Sequence, residues 1–186
     1  MLKLYGGTRS RASIVQWYLE ELGIPYEFIL LDLPAGEQRQ AKFLEINPFG
    51  KVPAIIDNGL TIWESGAILL YLAEKYSTHP VSIEKRAEWA QWTLFANATL
   101  GPGIFVESNR EREETRFLSP IDQRLSQQPY LLGDHLSVAD VAVGSILAYM
   151  PIMLKLDFSN YPSIKQYLQR LAERPAFQKT IGGRTP

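Results

Sequence analysis

Three short stretches of this chain carry residue types suited to chemistry. The first is Trp63-Glu64-Ser65-Gly66-Ala67-Ile68. Ser65 stands at the N-cap position of an apolar run with helical spacing, and Glu64 directly precedes it. A helix start offers free N–H groups to an anion, and a carboxylate beside it suits an ammonium. Together they suit the zwitterionic end of an amino acid, although a helix cap with no further role has the same composition. The second stretch is Asn47-Pro48-Phe49-Gly50-Lys51-Val52-Pro53, leading into Ala54-Ile55-Ile56-Asp57. A proline heading a strand donates nothing to the ladder. A cis Val52-Pro53 bond would turn the preceding backbone outward, ready to pair with a peptide-like ligand. The third is the loop Gly6-Gly7-Thr8-Arg9-Ser10-Arg11, rich in hydroxyl and guanidinium groups.

Other chemistries find little support. Neither GxxxxGK[ST] nor GxGxxG occurs, so the Gly-Gly loop is a poor phosphate cradle. His79 and His135 fall in separate linker and turn contexts, with no Ser-His-Asp set and no paired metal ligands, so no metal site is expected. Asn97-Ala98-Thr99 matches a glycosylation pattern but lies in mid-helix. The chain has no cysteine, which excludes disulfides, cysteine metal sites and a cysteine nucleophile. Any thiol chemistry must use a thiol that arrives with the ligand. A net charge of −1 gives no electrostatic case for nucleic acid or an anionic membrane. Met1 to Tyr5 already alternates like a strand, so no signal pattern is expected. The longest apolar run, Val141 to Leu154, contains Ser145 and Pro151 and is too short to span a bilayer. A soluble, cytoplasmic protein is the expectation.

The elements that must position these residues follow from periodicity. With 186 residues and 46% hydrophobic content, the chain can bury one core or two small ones. Leu2 to Gly6 reads as a strand, and a helix from Ser10 or Ser13 carries Ile14, Val15, Trp17, Tyr18, Leu19 and Leu22 to a stop at Gly23. Tyr26 to Asp32 is a second strand, and Gly36 to Ile46 a loose short helix. Strands near Val52–Ile56 and Leu60–Trp63 join through Asn58-Gly59, and a helix runs from Ser65 to about Tyr76. The order βαβαββα is an α/β, thioredoxin-like arrangement over residues 1–76. Residues 77–82 form a linker around Ser77-Thr78-His79-Pro80. Residues 83–186 show no convincing strand and read as an all-α helical bundle. In it, Gly101-Pro102-Gly103 should break the helix that starts near Ile83. Ser137-Val138-Ala139-Asp140 should cap an almost wholly apolar helix running to about Met150.

Over nearly its whole length the chain resembles a soluble glutathione transferase. The resemblance rests on NPFGKVPAIID, then WESGAILLYLAEKY, and on LLGDHLSVADVAV in the second half. It implies that Val52 and Pro53 pair with the cysteinyl backbone of glutathione and that Glu64 and Ser65 hold its γ-glutamyl end. Gln38 and Lys51 fall where family members contact the glycine carboxylate. Family members place a Tyr, Ser or Cys after the first strand, aimed at the sulfur. Here the candidates are Ser10 as hydrogen-bond donor, with Thr8 and Ser13 behind it, and Arg11 or Arg9 acting through charge. Phe95, Thr99 and Ile104 would form the electrophile side of the pocket. The short, cysteine-free chain is nearer the small bacterial classes, chi among them, than the tyrosine classes. The implied activity is conjugation of the glutathione thiolate to a small hydrophobic electrophile, in a homodimer and with no cofactor beyond glutathione as co-substrate. The rival is a non-catalytic glutathione-binding or interaction module on the same fold.

Overall fold

A computed structural model describes residues 1–183. The last three residues of the expected helical domain, 184–186, lie outside the described residues. The chain divides into two compact units, Met1–Thr78 and one beginning at His79.

The first unit runs β1 (Leu2–Gly6), α1 (Ala12–Leu22), β2 (Tyr26–Leu30), a 3₁₀ turn (Glu37–Arg39), α2 (Ala41–Leu44), β3 (Ala54–Asp57), β4 (Leu60–Trp63) and α3 (Ser65–Lys75). Its sheet has the order β2-β1-β3-β4, with β1 and β2 parallel and the other two pairs antiparallel. This is the thioredoxin-like arrangement expected from the sequence. Asn58 and Gly59, at φ 49° and 84°, make the tight hairpin turn between β3 and β4. Gly23 ends α1 at φ 64°, with its N–H donating to the carbonyls of Glu20 and Leu19. Helices α1 and α3 pack on each other and on the sheet. They bury Ile14, Val15, Trp17 and Leu19 with Ile68, Leu69 and Leu72 over the strand residues Leu4 and Ile55.

The second unit is helical throughout its regular elements. It comprises α4 (Ile83–Leu94), a π-helical turn (Phe95–Leu100), α5 (Gly101–Phe105), α6 (Glu107–Leu125), α7 (Val138–Leu154), α8 (Pro162–Ala172), α9 (Pro175–Phe177) and a second π-helical turn (Gln178–Gly182). Gly101-Pro102-Gly103 does not break the helix as expected. Gly101 keeps helical angles, and Pro102 follows directly on the π-helical turn, so the chain runs on helically into α5. Gly103 serves close packing instead, since a Cβ there would lie 2.4 Å from the Phe117 ring. Helix α7 also outlasts its expected end at Met150: it runs through Pro151 to Leu154, and Lys155, at φ 54°, closes it. The capping box is present. Asp140 accepts from the N–H and hydroxyl of Ser137, both at 2.8 Å, from the Leu131 N–H at 2.8 Å and from the Tyr167 hydroxyl at 3.1 Å. Burial raises the Asp140 pKa, and these donors work against the rise.

One buried charge ties β3 to α3. The Asp57 carboxylate, only 4% exposed, accepts from the Lys75 ammonium and, at 3.0 Å, from the Tyr71 hydroxyl. The Lys75 Nζ also lies 5.3 and 5.4 Å from the ring centroids of Tyr71 and Tyr76. Desolvation pushes the Asp57 carboxyl up, but the hydrogen bonds from Lys75 and Tyr71 outweigh it and hold the pKa below its usual value. A depressed carboxylate adds stability above its unfolded pKa and loses it as pH falls through the folded one. Asp57→Asn should therefore lower the unfolding free energy at neutral pH by about 1–3 kcal/mol, Lys75 being partly exposed. It should also flatten the loss of stability below about pH 4, as followed by urea denaturation across pH.

Candidate functional site

The antiparallel ladder brings the three chemical stretches to one end of the sheet. Tyr5 pairs with Ala54, and Ala54 pairs with Trp63. At that end β1 leaves toward the Gly7–Arg11 loop, β3 enters from Val52-Pro53, and β4 leaves into Glu64-Ser65. Neighbouring strands lie about 4.8 Å apart, so the three backbone segments emerge within roughly 10 Å of one another.

Glu64 and Ser65 differ in detail from the sequence expectation. The N-cap of α3 is Glu64, and Ser65 is the first helical residue. Strand β4 runs to Trp63, so one residue must turn the chain, and Glu64 does so at φ 70°, ψ 119°. Positive φ is unfavourable for a residue with a Cβ and recurs at ligand clamps. The Glu64 side chain is exposed, whereas Ser65 is buried at 3% exposure with no hydrogen-bond partner for its hydroxyl among the described residues.

On the facing segment the Val52-Pro53 bond is cis, with Pro53 buried and Val52 half-buried. Asn47, which sequence reasoning gave no role, builds the loop that carries them. Its amide nitrogen donates to the Lys51 carbonyl at 2.7 Å, and its amide oxygen accepts from the Phe49 N–H at 3.1 Å. The signal was present as an Asn-Pro turn with glycine close behind. Gly50 adopts φ 60°, and a Cβ there would lie 2.9 Å from the Gln38 carbonyl oxygen, so the Gln38 loop closes directly on this turn. The Gln38 side-chain oxygen is buried and unpartnered, and Lys51 is exposed. The rings of Phe49 and Trp63 meet edge to face at 5.0 Å, fastening the loop to the strand that ends in Glu64.

The loop after β1 is organised differently from expectation. The Ser10 hydroxyl does not stand free to serve a ligand. It donates to the Gly7 carbonyl at 3.0 Å and accepts from the N–H groups of Gly7 at 3.1 Å and Ala12 at 3.3 Å. Ser13 is fully buried and donates to the Ser10 carbonyl at 3.0 Å. Thr8, Arg9 and Arg11 are exposed. Tyr5 lies within β1 with its ring 5.8 Å from that of Phe43.

Of the residues expected on the electrophile side, Thr99 is exposed and Phe95 is half-buried, edge to face with Trp92 at 5.8 Å and with Phe117 at 5.9 Å. Ile104 is wholly buried and offers no surface to a ligand, because the helix runs on past Gly101 into α5 and carries Ile104 into the core. Among the described residues, no group of three or more His, Asp or Glu side chains is placed to hold a metal ion. No helix there is long and apolar enough to cross a membrane.

A thioredoxin-like unit with this cis-proline and helix-start geometry, followed by an all-helical unit, defines the glutathione transferase class of folds. Residues 1–74 match the family model for the glutathione S-transferase N-terminal domain, and residues 106–175 match that for the C-terminal domain. The chain belongs to the glutathione S-transferase family. It is 32% identical to the glutathione S-transferase GstB of Escherichia coli K12 over 97% of this chain and 98% of that protein. It is 30% identical to the disulfide-bond oxidoreductase YfcG of the same organism, over 95% of this chain and 92% of that protein. Among solved structures it resembles the glutathione transferase URE2P6 of Phanerochaete chrysosporium in complex with oxidized glutathione. The TM-score there is 0.84, with 31% identity over 98% of this chain and 95% of that one.

Removing the Asn47 side chain deletes both bonds that shape the Asn47–Lys51 turn. Asn47→Ala should cost about 1–3 kcal/mol of stability by denaturant unfolding, because the side chain is buried and the Lys51 carbonyl loses its donor.

Proposed function

We propose that the protein binds glutathione at this end of the sheet and conjugates its thiolate to small hydrophobic electrophiles, as a cytoplasmic detoxifying enzyme. The observation that carries the reading is the convergence of Val52-Pro53, Glu64-Ser65 and the Gly7–Arg11 loop through the register Tyr5–Ala54–Trp63. An extended tripeptide spans about 10 Å, which matches the separation of these segments. In this reading the Ser65 hydroxyl and the N–H groups opening α3 take the γ-glutamyl carboxylate, and Glu64 takes its ammonium. Val52 pairs with the cysteinyl backbone. Lys51 and the Gln38 amide take the glycine carboxylate. The sulfur then falls toward the Gly7–Arg11 loop, where the Arg11 guanidinium favours the thiolate through charge. Each unit by which the thiol pKa falls corresponds to about 1.4 kcal/mol of preference for the thiolate. Phe95 and Thr99 are the proposed contacts of the helical unit with the electrophile.

A second reading is glutathione-dependent disulfide reduction. Similarity to YfcG supports it, as does the resemblance to a structure holding oxidized glutathione. With no cysteine in the chain, both electrons must come from glutathione. One glutathione thiolate attacks the substrate disulfide and releases a thiol. A second then attacks the mixed disulfide, giving oxidized glutathione and the other thiol. Parallel assays with a panel of electrophiles, isothiocyanates included, and with a small disulfide substrate separate the two. Glutathione binding without either activity would instead favour a binding module.

Ser65→Ala and Glu64→Ala should each weaken glutathione binding by about 1–3 kcal/mol in titration calorimetry. Unchanged affinity in both would move the site elsewhere. The assembly proposed is a homodimer. Sedimentation at micromolar concentration should give a species of twice the 21.1 kDa chain mass, and a monomer would refute it.

A further inference from the structure

A serine in the loop after the first strand invites assignment as the donor to the ligand sulfur. The hydrogen bonds around Ser10 argue otherwise. A serine hydroxyl has one proton to donate and two lone pairs to accept with. At Ser10 the proton goes to the Gly7 carbonyl at 3.0 Å, and the lone pairs receive the N–H groups of Gly7 at 3.1 Å and Ala12 at 3.3 Å. Its whole bonding capacity is used within the loop. The Ser10 carbonyl is held as well, by the Ser13 hydroxyl at 3.0 Å and the Ser13 N–H at 3.3 Å.

The two ends that Ser10 joins are closely packed. A Cβ on Gly7 would lie 2.3 Å from the Leu33 side chain, and one on Gly6 would lie 2.4 Å from the Ala12 Cβ. The start of the loop is thus pressed against Leu33 and the first residue of α1. Between these fixed points Thr8, Arg9 and Arg11 are exposed. The Ser10 hydroxyl closes the loop across its base and determines where those residues project.

We propose that Ser10 is a positioning residue for thiol chemistry at this site. Its hydroxyl staples Gly7 to the start of α1, fixing the exposed residues Thr8, Arg9 and Arg11, and gives no hydrogen bond of its own to the sulfur. Swinging the hydroxyl to a thiolate would abandon the carbonyl of the buried residue Gly7, and the price of that exchange is an acceptor left without its donor. This role rests on the glutathione reading given above.

The test measures the thiol pKa of bound glutathione by thiolate absorbance in the binary complex, which needs no electrophile. It compares the wild type with Ser10→Ala and Ser10→Thr. A positioning role predicts that Ser10→Ala raises the glutathione dissociation constant roughly 3–10-fold and, introduced into an Arg11→Ala background, leaves the bound thiol pKa within about 0.3 unit of Arg11→Ala alone. Ser10→Thr, which keeps the hydroxyl, should restore affinity. A rise of about one unit or more when Ser10→Ala is added to Arg11→Ala, meaning tenfold less thiolate with the guanidinium already gone, would make the hydroxyl the direct donor and overturn the proposal. If Ser10→Ala does not fold, the wild type decides by amide hydrogen exchange. The Gly7 and Ala12 N–H groups should stay protected when glutathione binds, and faster exchange at both would mean the hydroxyl had left them for the sulfur. Wild-type protein that binds no glutathione would overturn the underlying reading, and this role with it. That outcome is recognisable because it needs no variant.

Discussion

The antiparallel ladder through β1, β3 and β4 fixes where three segments of the candidate site leave the sheet of the first unit. Tyr5, Ala54 and Trp63 share one rung, so the loop after β1, the turn before β3 and the start of α3 must open at the same end of the sheet. A slip of one residue would carry each strand's buried set to the opposite face. Leu4 and Ile55, paired with each other and completely buried, hold the register against such a slip. The Asp57–Lys75–Tyr71 group secures the other end of the same β3–α3 unit, away from the ligand side. The geometry of this end of the sheet follows from core packing.

Around that rung the backbone departs from ordinary conformations where a ligand would lie. Glu64 takes a positive φ without being a glycine, Gly50 takes one with the Gln38 carbonyl pressed against it, and Val52-Pro53 is cis. At Glu64 such a conformation costs on the order of 1–3 kcal/mol and persists only when its surroundings over-determine it. Those surroundings are visible. Asn47 bonds the turn on both sides, and the Phe49–Trp63 ring contact joins the turn to the strand that delivers Glu64.

The helical unit owes its core to a buried carboxylate as much as to apolar packing. Asp140 gathers the Leu131 N–H, both donors of Ser137 and the Tyr167 hydroxyl, and so joins the start of α7 to α8 and to the loop before it. A buried carboxylate is tolerable when its lone pairs are all engaged, and here the hydrogen-bonding groups of three segments converge on one. Glycine works as a spacer in the same unit. Gly103 lets α5 approach the Phe117 ring, and Gly144 in α7 leaves room for Tyr167 and Leu171.

The sequence by itself determined the order of elements, the hairpin at Asn58-Gly59, the capping box at Ser137 and Asp140, and the two segments suited to a zwitterionic, peptide-like ligand. Each of these depends on neighbours in the chain, whose preferences for turns, caps and periodic burial act locally. Tertiary structure decided the rest. It kept Gly101-Pro102-Gly103 helical, with Gly103 packed against Phe117 of another helix, and it buried Ile104 where a pocket residue was expected. It also engaged the Ser10 hydroxyl within its own loop and assigned Asn47 to the neighbouring turn. A residue's type states what bonds it can make. Which bonds it does make depends on the groups folding brings within about 3 Å, and those come from parts of the chain that local sequence does not place.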